Sequence, residues 1–120
     1  HACTDITGFG LLGHTWEVAA ASGVAIEIQA SAVPLLPGAL ALAEAGHLPG
    51  GLRKNRAYLE HALEWVGVEP ALQSVLTDPQ TSGGLLFSLP ESEAAHLERD
   101  GIGTVIGRVV AGAPAIRVVS

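Results

Sequence analysis

The sequence predicts an α+β domain in which helices pack on a mixed, largely antiparallel sheet. Segments with the apolar spacing of helices are interspersed with short segments of period two, and the last two strand patterns follow each other directly. The 120 residues suffice for one domain that buries about two-thirds of its unfolded surface. Hydrophobic residues make up 48% but aromatic residues only 4%, so we expect one aliphatic core and no second domain.

The first predicted element is a helix over residues 9 to 22, ended by Gly23 in the position that favours a left-handed cap. Residues at core-facing spacing are Leu12, Trp16 and Ala19. His14 and Glu17 are predicted to share the polar side of this helix.

The remaining elements are predicted from alternation and from the positions of glycine and proline. A strand with one buried face contains Val24, Ile26 and Ile28. The pattern then predicts a helix over residues 38 to 45, a strand over 62 to 66, a short helix over 70 to 76, a buried strand over 84 to 89 and a helix over 91 to 100. Two final strands, 102 to 110 and 115 to 119, are predicted to pair as a hairpin.

Charge and hydropathy limit the classes of partner. The formal net charge of −6 argues against nucleic acid, which recruits clustered Lys and Arg to its phosphates. The apolar run from residue 33 to 43 is short and interrupted by proline, so no membrane segment is predicted. A mean hydropathy of +0.40 is high for a small domain, and we expect part of the surface to contact another domain. Cys3 has no partner for an internal disulfide, which fits a reducing cytoplasm.

The most informative segment is HACTDITGFGLLG at residues 1 to 13, where threonines and an acid run into a glycine-punctuated helix start. The unpaired N–H groups and the dipole of a helix N-terminus favour phosphate. Gly8 leaves space for an anion, Thr4 and Thr7 offer hydroxyl donors, and Asp5 offers a carboxylate of the kind that Mg²⁺ prefers. A structural alternative is that Asp5 or Thr7 simply caps the helix.

Two other interpretations of this segment are less favoured. Residues 8 to 13, GFGLLG, match the dinucleotide-binding glycine pattern, with Glu27 at the distance of a ribose-binding acid. We reject it because HACTDIT contains no apolar run able to form the buried strand that must precede it. Cys3 lies near a helix start and two residues from His1, but no third orienting group is evident, so we interpret it as a half-buried small residue.

Further candidates lie later in the chain. The segment DPQTSGG at residues 78 to 84 gathers a carboxylate, an amide and two hydroxyls, although turn formation alone could explain it. Arg53, Lys54 and Arg56 are half of the six basic residues, and they either bind an anion or form a solvated turn. Three histidines show no metal-ligand spacing and are assigned surface or structural positions: His47, His61 and His96.

The N-terminal segment, completed by His14, resembles the opening of the C-terminal domain of the selenophosphate synthetase family. Four more segments in order extend the resemblance over nearly the whole chain: residues 31 to 46 (SAVPLLPGALALAEAG), 49 to 60 (PGGLRKNRAYLE), 78 to 86 (DPQTSGGLL) and 105 to 110 (VIGRVV). The phenylalanine in TGFG favours this family over its relatives, which include aminoimidazole ribonucleotide synthetase.

The resemblance implies an aminoimidazole ribonucleotide synthetase C-terminal-domain-like fold, placed beside an ATP-binding domain that mediates homodimerisation. It implies an enzyme that converts ATP, selenide and water to selenophosphate, AMP and phosphate. In this family Asp5 would help to hold Mg²⁺ with aspartates of the N-terminal domain, and Thr4, Thr7 and Gly8 would line the phosphate region. The reactive cysteine or selenocysteine and the essential lysine would lie in the N-terminal domain. We therefore expect residues 1 to 120 to be one C-terminal domain of a longer enzyme, inactive alone.

Two alternatives remain open at this point. The chain could be a non-catalytic interaction or ligand-binding module, or the C-terminal domain of a related ATP-dependent enzyme that acts on a carbon substrate. Selenium itself leaves no mark in these residues, so the choice of substrate depends on the resemblance.

Overall fold

The computed structural model describes residues 1 to 120 and contains six strands and five α-helices. In chain order they are β1 (Ala2–Asp5), α1 (Gly10–Ser22), β2 (Ala25–Gln29), α2 (Ala39–Glu44), α3 (Gly51–Leu59), β3 (Leu63–Val66), α4 (Pro70–Thr77), β4 (Leu85–Ser88), α5 (Glu91–Arg99), β5 (Gly107–Val110) and β6 (Ala115–Val119). Gly23 ends α1 with φ +66°, the left-handed conformation that glycine adopts without steric cost. The helices α1, α2, α4 and α5 and the strand β2 confirm the sequence prediction.

The strands form two sheets. A four-stranded sheet has the order β3-β6-β2-β5, in which β6 is parallel to both β2 and β3, and β5 is antiparallel to β2. A separate ribbon pairs β1 with β4 antiparallel, with Asp5 opposite Leu85. The α+β class with a mixed sheet is therefore confirmed, although antiparallel and parallel pairings are equally frequent rather than largely antiparallel.

The core lies between α1 and one face of the four-stranded sheet. Fully buried aliphatic side chains come from the helices (Leu12, Ala19, Leu59, Leu76) and from the sheet (Ile26, Ile28, Ile116, Val118). The outer face of the sheet carries a row of charges, because Glu27 pairs with both Arg108 and Arg117, and Arg117 also reaches Glu64. The period-two pattern thus separates an apolar face from a charged one.

Two predictions about strands are wrong. The final two strands do not form a hairpin, because β2 lies between β5 and β6. The strand β4 is not buried: Leu85 is 61% exposed and Phe87 is 51% exposed, since its ribbon has only one covered side. A strand, β1, does precede α1, but none of its residues is buried, so the prediction that HACTDIT forms no buried strand is confirmed. No helix combines the length and apolar character needed to cross a bilayer.

Candidate functional site

The loop between β1 and α1 lies against the loop between α4 and β4, so the structure brings together the two segments singled out in the sequence. The Ile6 N–H donates to the Gly84 carbonyl at 2.9 Å, and the Gly83 N–H donates back to the Ile6 carbonyl at 3.0 Å. The Gln80 N–H donates to the Thr7 carbonyl at 3.0 Å. These backbone bonds continue the β1–β4 ribbon and fix both loops as one unit.

A buried amide side chain from α3 holds the two loops together by hydrogen bonds. Asn55 of α3 is 5% exposed, and its Nδ2 donates to the carbonyls of Gly8 and Thr77, each at 3.0 Å. Asn55 is not among the residues predicted from the sequence, because the neighbouring Arg53, Lys54 and Arg56 indicate an anion site or a solvated turn. Its spacing from the buried Leu52 and Leu59 is that of one helix face, and this signal could have identified it.

Glycines let the two loops approach closely. Gly10 has φ +71°, and a Cβ there would lie 2.6 Å from the Asp78 carbonyl oxygen. A Cβ on Gly83 would lie 2.7 Å from Cγ2 of Ile6. Gly8 differs, because it is exposed and a Cβ there would meet no atom within 4 Å. Gly10 and Gly83 are thus needed for packing, whereas the space beside Gly8 is open.

Neither of the predicted caps forms at the start of α1. The N-cap residue is Phe9, which makes no side-chain hydrogen bond to the helix. The Thr7 hydroxyl instead lies 3.0 Å from Nε2 of His14. The structural alternative for Asp5 and Thr7 is therefore wrong, and the first-turn N–H groups of α1 have no side-chain cap.

The prediction that His14 lies on a polar face is also wrong. It is only 8% exposed, with Nδ1 3.0 Å from Oε1 of Glu17 and the Phe9 ring 5.5 Å away between centroids. The β1–α1 loop folds over this side of the helix and covers the ring. Phe9 also stacks on Tyr58 of α3, with ring centroids 5.5 Å apart, and both rings stay partly exposed.

The predicted magnesium ligand is accessible but isolated. Asp5 is exposed at the end of β1 and takes part in no ion pair. The chain contains no group of three His, Cys, Asp or Glu side chains placed to hold a metal. Mg²⁺ takes octahedral geometry and usually keeps several waters, so this single carboxylate fits the ion only as one ligand of a set completed elsewhere. Thr4, on the opposite side of the strand, is half-buried.

A second carboxylate, Asp78, follows α4 directly. Burial raises the pKa of the Asp78 carboxyl above its usual value of 3.8, and a hydrogen bond from Gln80 partly opposes this shift. The Gln80 Nε2 lies 3.1 Å from Oδ2 of Asp78. This loop is therefore a partly desolvated position for negative charge.

The basic cluster lies on the helix α3 and not in a turn. Arg53 and Lys54 are exposed, whereas Nη2 of Arg56 donates to the Ser74 hydroxyl at 2.6 Å. One member of the cluster thus joins α3 to α4, and two members remain available to solvent.

Other sequence candidates occupy structural positions. His61 packs edge-on against Trp16, and His96 pairs with Asp100 on α5. Cys3 is exposed rather than half-buried. The rejection of the dinucleotide pattern is confirmed, because the strand before Gly8 is not buried. In addition, β1 and β2 belong to different sheets and form no parallel unit.

An open apolar groove of about 1070 Å³ lies beside the joined loops. It is lined by the β1–β4 ribbon, by the segment around α2 and by the residues before β5. Large side chains stay exposed along it, including Leu36, Leu42, Phe87 and Val105. A surface of this kind is typical of contact with another domain or chain.

Comparison with known proteins agrees with this architecture. Residues 1–119 match the family model of the AIR synthase related protein, C-terminal domain. A protein of Clostridioides difficile (strain 630) named selenide, water dikinase is 52% identical over 101 residues, covering 83% of this chain and 29% of that protein. A Treponema denticola protein of the same name is 40% identical over 116 residues, covering 97% of this chain and 32% of that protein.

A solved structure shows the same fold. The crystal structure of tt0281 from Thermus thermophilus matches with a TM-score of 0.56 and 22% identity, over 98% of this chain and 31% of that one. The chain thus spans about 30% of the proteins that it matches. The resemblance to the C-terminal domain of selenophosphate synthetase is confirmed by relatives that carry the dikinase name. The chain belongs to the family of AIR synthase related protein C-terminal domains.

Proposed function

We propose that this chain acts as the C-terminal domain of a selenide, water dikinase, which makes selenophosphate, AMP and phosphate from ATP, selenide and water. The observation that carries the proposal is the 40 to 52% identity to proteins of that name over most of this chain. Neither of these relatives is named for a reaction on a carbon substrate.

Within that enzyme, Asp5 contributes one carboxylate to Mg²⁺, and Thr4, Thr7 and Gly8 line the phosphate region. Support comes from the exposure of Asp5, from the open space at Gly8 and from the absence of a side-chain cap at the start of α1. The part of Thr4, which is half-buried on the other side of β1 from Asp5, depends on the resemblance alone. Bound Mg²⁺ would offset phosphate charge and align the transferred group. The role of this chain is to hold the β1–α1 loop rigidly at that position.

The exposed apolar groove indicates a partner domain. The apolar groove would receive the N-terminal ATP-binding domain, which supplies the other magnesium ligands and the reactive residues, so the isolated chain is inactive. The resemblance implies that the whole enzyme is a homodimer. A cytoplasmic location is consistent with the free thiol of Cys3. A net charge of −6 disfavours nucleic acid as a partner.

The test is Asp5→Asn in the full-length protein, with Asp100→Asn as the control for an exposed aspartate. Phosphorus NMR with ATP, Mg²⁺ and selenide should show selenophosphate and AMP for the parent and the control, and a loss of at least about 100-fold for Asp5→Asn, as when a group that stabilises transition-state charge is removed. Normal turnover by Asp5→Asn would overturn the metal assignment. A full-length parent that forms no selenophosphate would overturn the dikinase and favour a binding module.

A further inference from the structure

Three side chains form a hydrogen-bonded series that leads from the surface to the β1–α1 loop. Oε1 of Glu17 lies 3.0 Å from Nδ1 of His14, and Nε2 of His14 lies 3.0 Å from the hydroxyl oxygen of Thr7. The imidazole is 8% exposed, whereas the Glu17 carboxylate is half-exposed. Because water competes weakly at the buried ring, its two contacts hold the ring in one orientation.

The acceptor character of the carboxylate fixes the direction of the first hydrogen bond, and with a neutral ring it fixes the second as well. An ionised carboxylate only accepts, so Nδ1 of His14 must carry the proton that it donates to Glu17. In the neutral ring Nε2 is then the unprotonated nitrogen, and the Thr7 hydroxyl donates to it. In that form the Thr7 proton points into the domain, and the lone pairs of its oxygen remain for a ligand.

We propose that His14 is a positioning residue, held by Glu17, that turns the Thr7 hydroxyl into an acceptor at the phosphate region. The ligand part of this inference rests on the proposed function. An oxygen presented in this way recognises a hydrogen-bond donor. At the phosphate end of a magnesium–nucleotide complex, away from the ribose hydroxyls and the base, the donors are the waters that Mg²⁺ retains. Thr7 would thus hold metal-bound water, and the open space at Gly8 would take the phosphate.

The first test measures the tautomer of His14 in the full-length protein labelled with ¹⁵N-histidine. Long-range proton–nitrogen spectra should show His14 protonated on Nδ1 and bare on Nε2, with the resonance assigned by its loss in His14→Gln. Glu17→Ala removes the acceptor and should shift the ring towards the Nε2–H form, whereas His61 should not respond. A parent with Nε2 protonated, whether in the Nε2–H form or with both nitrogens protonated, would overturn the proposal.

The second test is a double-variant cycle on the KM for magnesium–ATP in the same protein. Thr7→Val and His14→Asn should each raise that KM about five-fold to ten-fold, the effect of one hydrogen bond. The double variant should be no worse than Thr7→Val alone, because both remove the same contact. His14→Gln should restore part of the loss, since its amide oxygen can lie near the position of Nε2, and His61→Asn serves as the control.

The outcomes separate this proposal from the proposed function. Additive effects of Thr7→Val and His14→Asn on KM, or an unchanged KM for Thr7→Val, would overturn the positioning role while selenophosphate formation by the parent upheld the dikinase. A parent without turnover would overturn the dikinase and, with it, the assignment of a magnesium–nucleotide ligand to Thr7.

Discussion

Replacement of Asn55 by leucine tests whether one buried amide holds the candidate site together. The change keeps the approximate volume of the side chain and removes the Nδ2 donor that bonds to the carbonyls of Gly8 and Thr77. The bond to Gly8 is partly accessible, and the bond to Thr77 is buried. Water can therefore replace the first donor but not the second.

The magnitude follows from this difference. A hydrogen bond whose acceptor is rehydrated contributes about 1 kcal/mol, and a buried carbonyl left unpaired costs about 1 to 3 kcal/mol. We therefore expect Asn55→Leu to lower the free energy of unfolding by about 2 to 4 kcal/mol. Lys54→Leu, an exposed neighbour on the same helix, should change it by less than about 0.5 kcal/mol.

Urea unfolding measures the global effect, and amide hydrogen exchange locates it. The amides of Gly10, Gln80 and Gly83 donate within the joined loops, and in Asn55→Leu they should exchange faster than the amides of α5. A loss of stability below about 0.5 kcal/mol, within the range of a neutral surface change, would refute the claim that Asn55 holds the two loops together. So would a larger loss with unchanged exchange at these three amides.

Three further predictions concern single positions. Gly10→Ala should lower the free energy of unfolding more than Gly23→Ala does. Both glycines have positive φ, but only at Gly10 would a Cβ meet backbone, 2.6 Å from the Asp78 carbonyl oxygen. Equal losses in urea unfolding, near the roughly 1 to 2 kcal/mol that a left-handed alanine costs, would contradict this. Burial raises the pKa of the Asp78 carboxyl above 3.8, so the folded state binds the carboxyl proton more tightly than the unfolded state does. The protonated carboxyl therefore stabilises the fold at low pH, and this stabilisation is lost as pH rises through the raised pKa. Asp78→Asn should thus be more stable than the parent at pH 7 and lose this advantage below pH 3.8, as followed by unfolding across that range. Glu27→Gln should lower the free energy of unfolding by less than about 1 kcal/mol, and most of this loss should disappear in about 1 M salt, which screens ion pairs. Glu64→Gln removes one ion pair instead of two and should lower the free energy of unfolding by less still.

Local pattern predicted most elements but not their partners. The alternation in β5 and β6 and the short turn between them indicated two strands correctly. Their pairing depends instead on β2, which lies more than 75 residues away in the sequence and inserts between them. A period of two identifies a strand and its faces, but it carries no information on which distant strand lies beside it.

The polar residues of the site were harder to predict than the motif that contains them. Residues 1 to 13 and 78 to 84 were both identified, and the structure joins them by backbone hydrogen bonds. His14 and Asn55 were not identified as buried, because their partners are Thr7 and the Gly8 carbonyl of a loop whose path periodicity does not describe. Burial of a polar group depends on such tertiary partners, so helical spacing alone assigned His14 to the wrong face.

The distribution of charge explains why the joined loops need a second component to bind an anion. Two carboxylates, Asp5 and Asp78, lie on or beside these loops, in a chain of net charge −6. Four of the six basic side chains already have side-chain partners: Arg56, Arg99, Arg108 and Arg117. Only Arg53 and Lys54 remain, and both are exposed on α3. A phosphate at the start of α1 would thus be stabilised by the helix dipole and by backbone N–H groups, but by little positive charge. We therefore expect a bridging cation or basic residues of another domain to supply the positive charge.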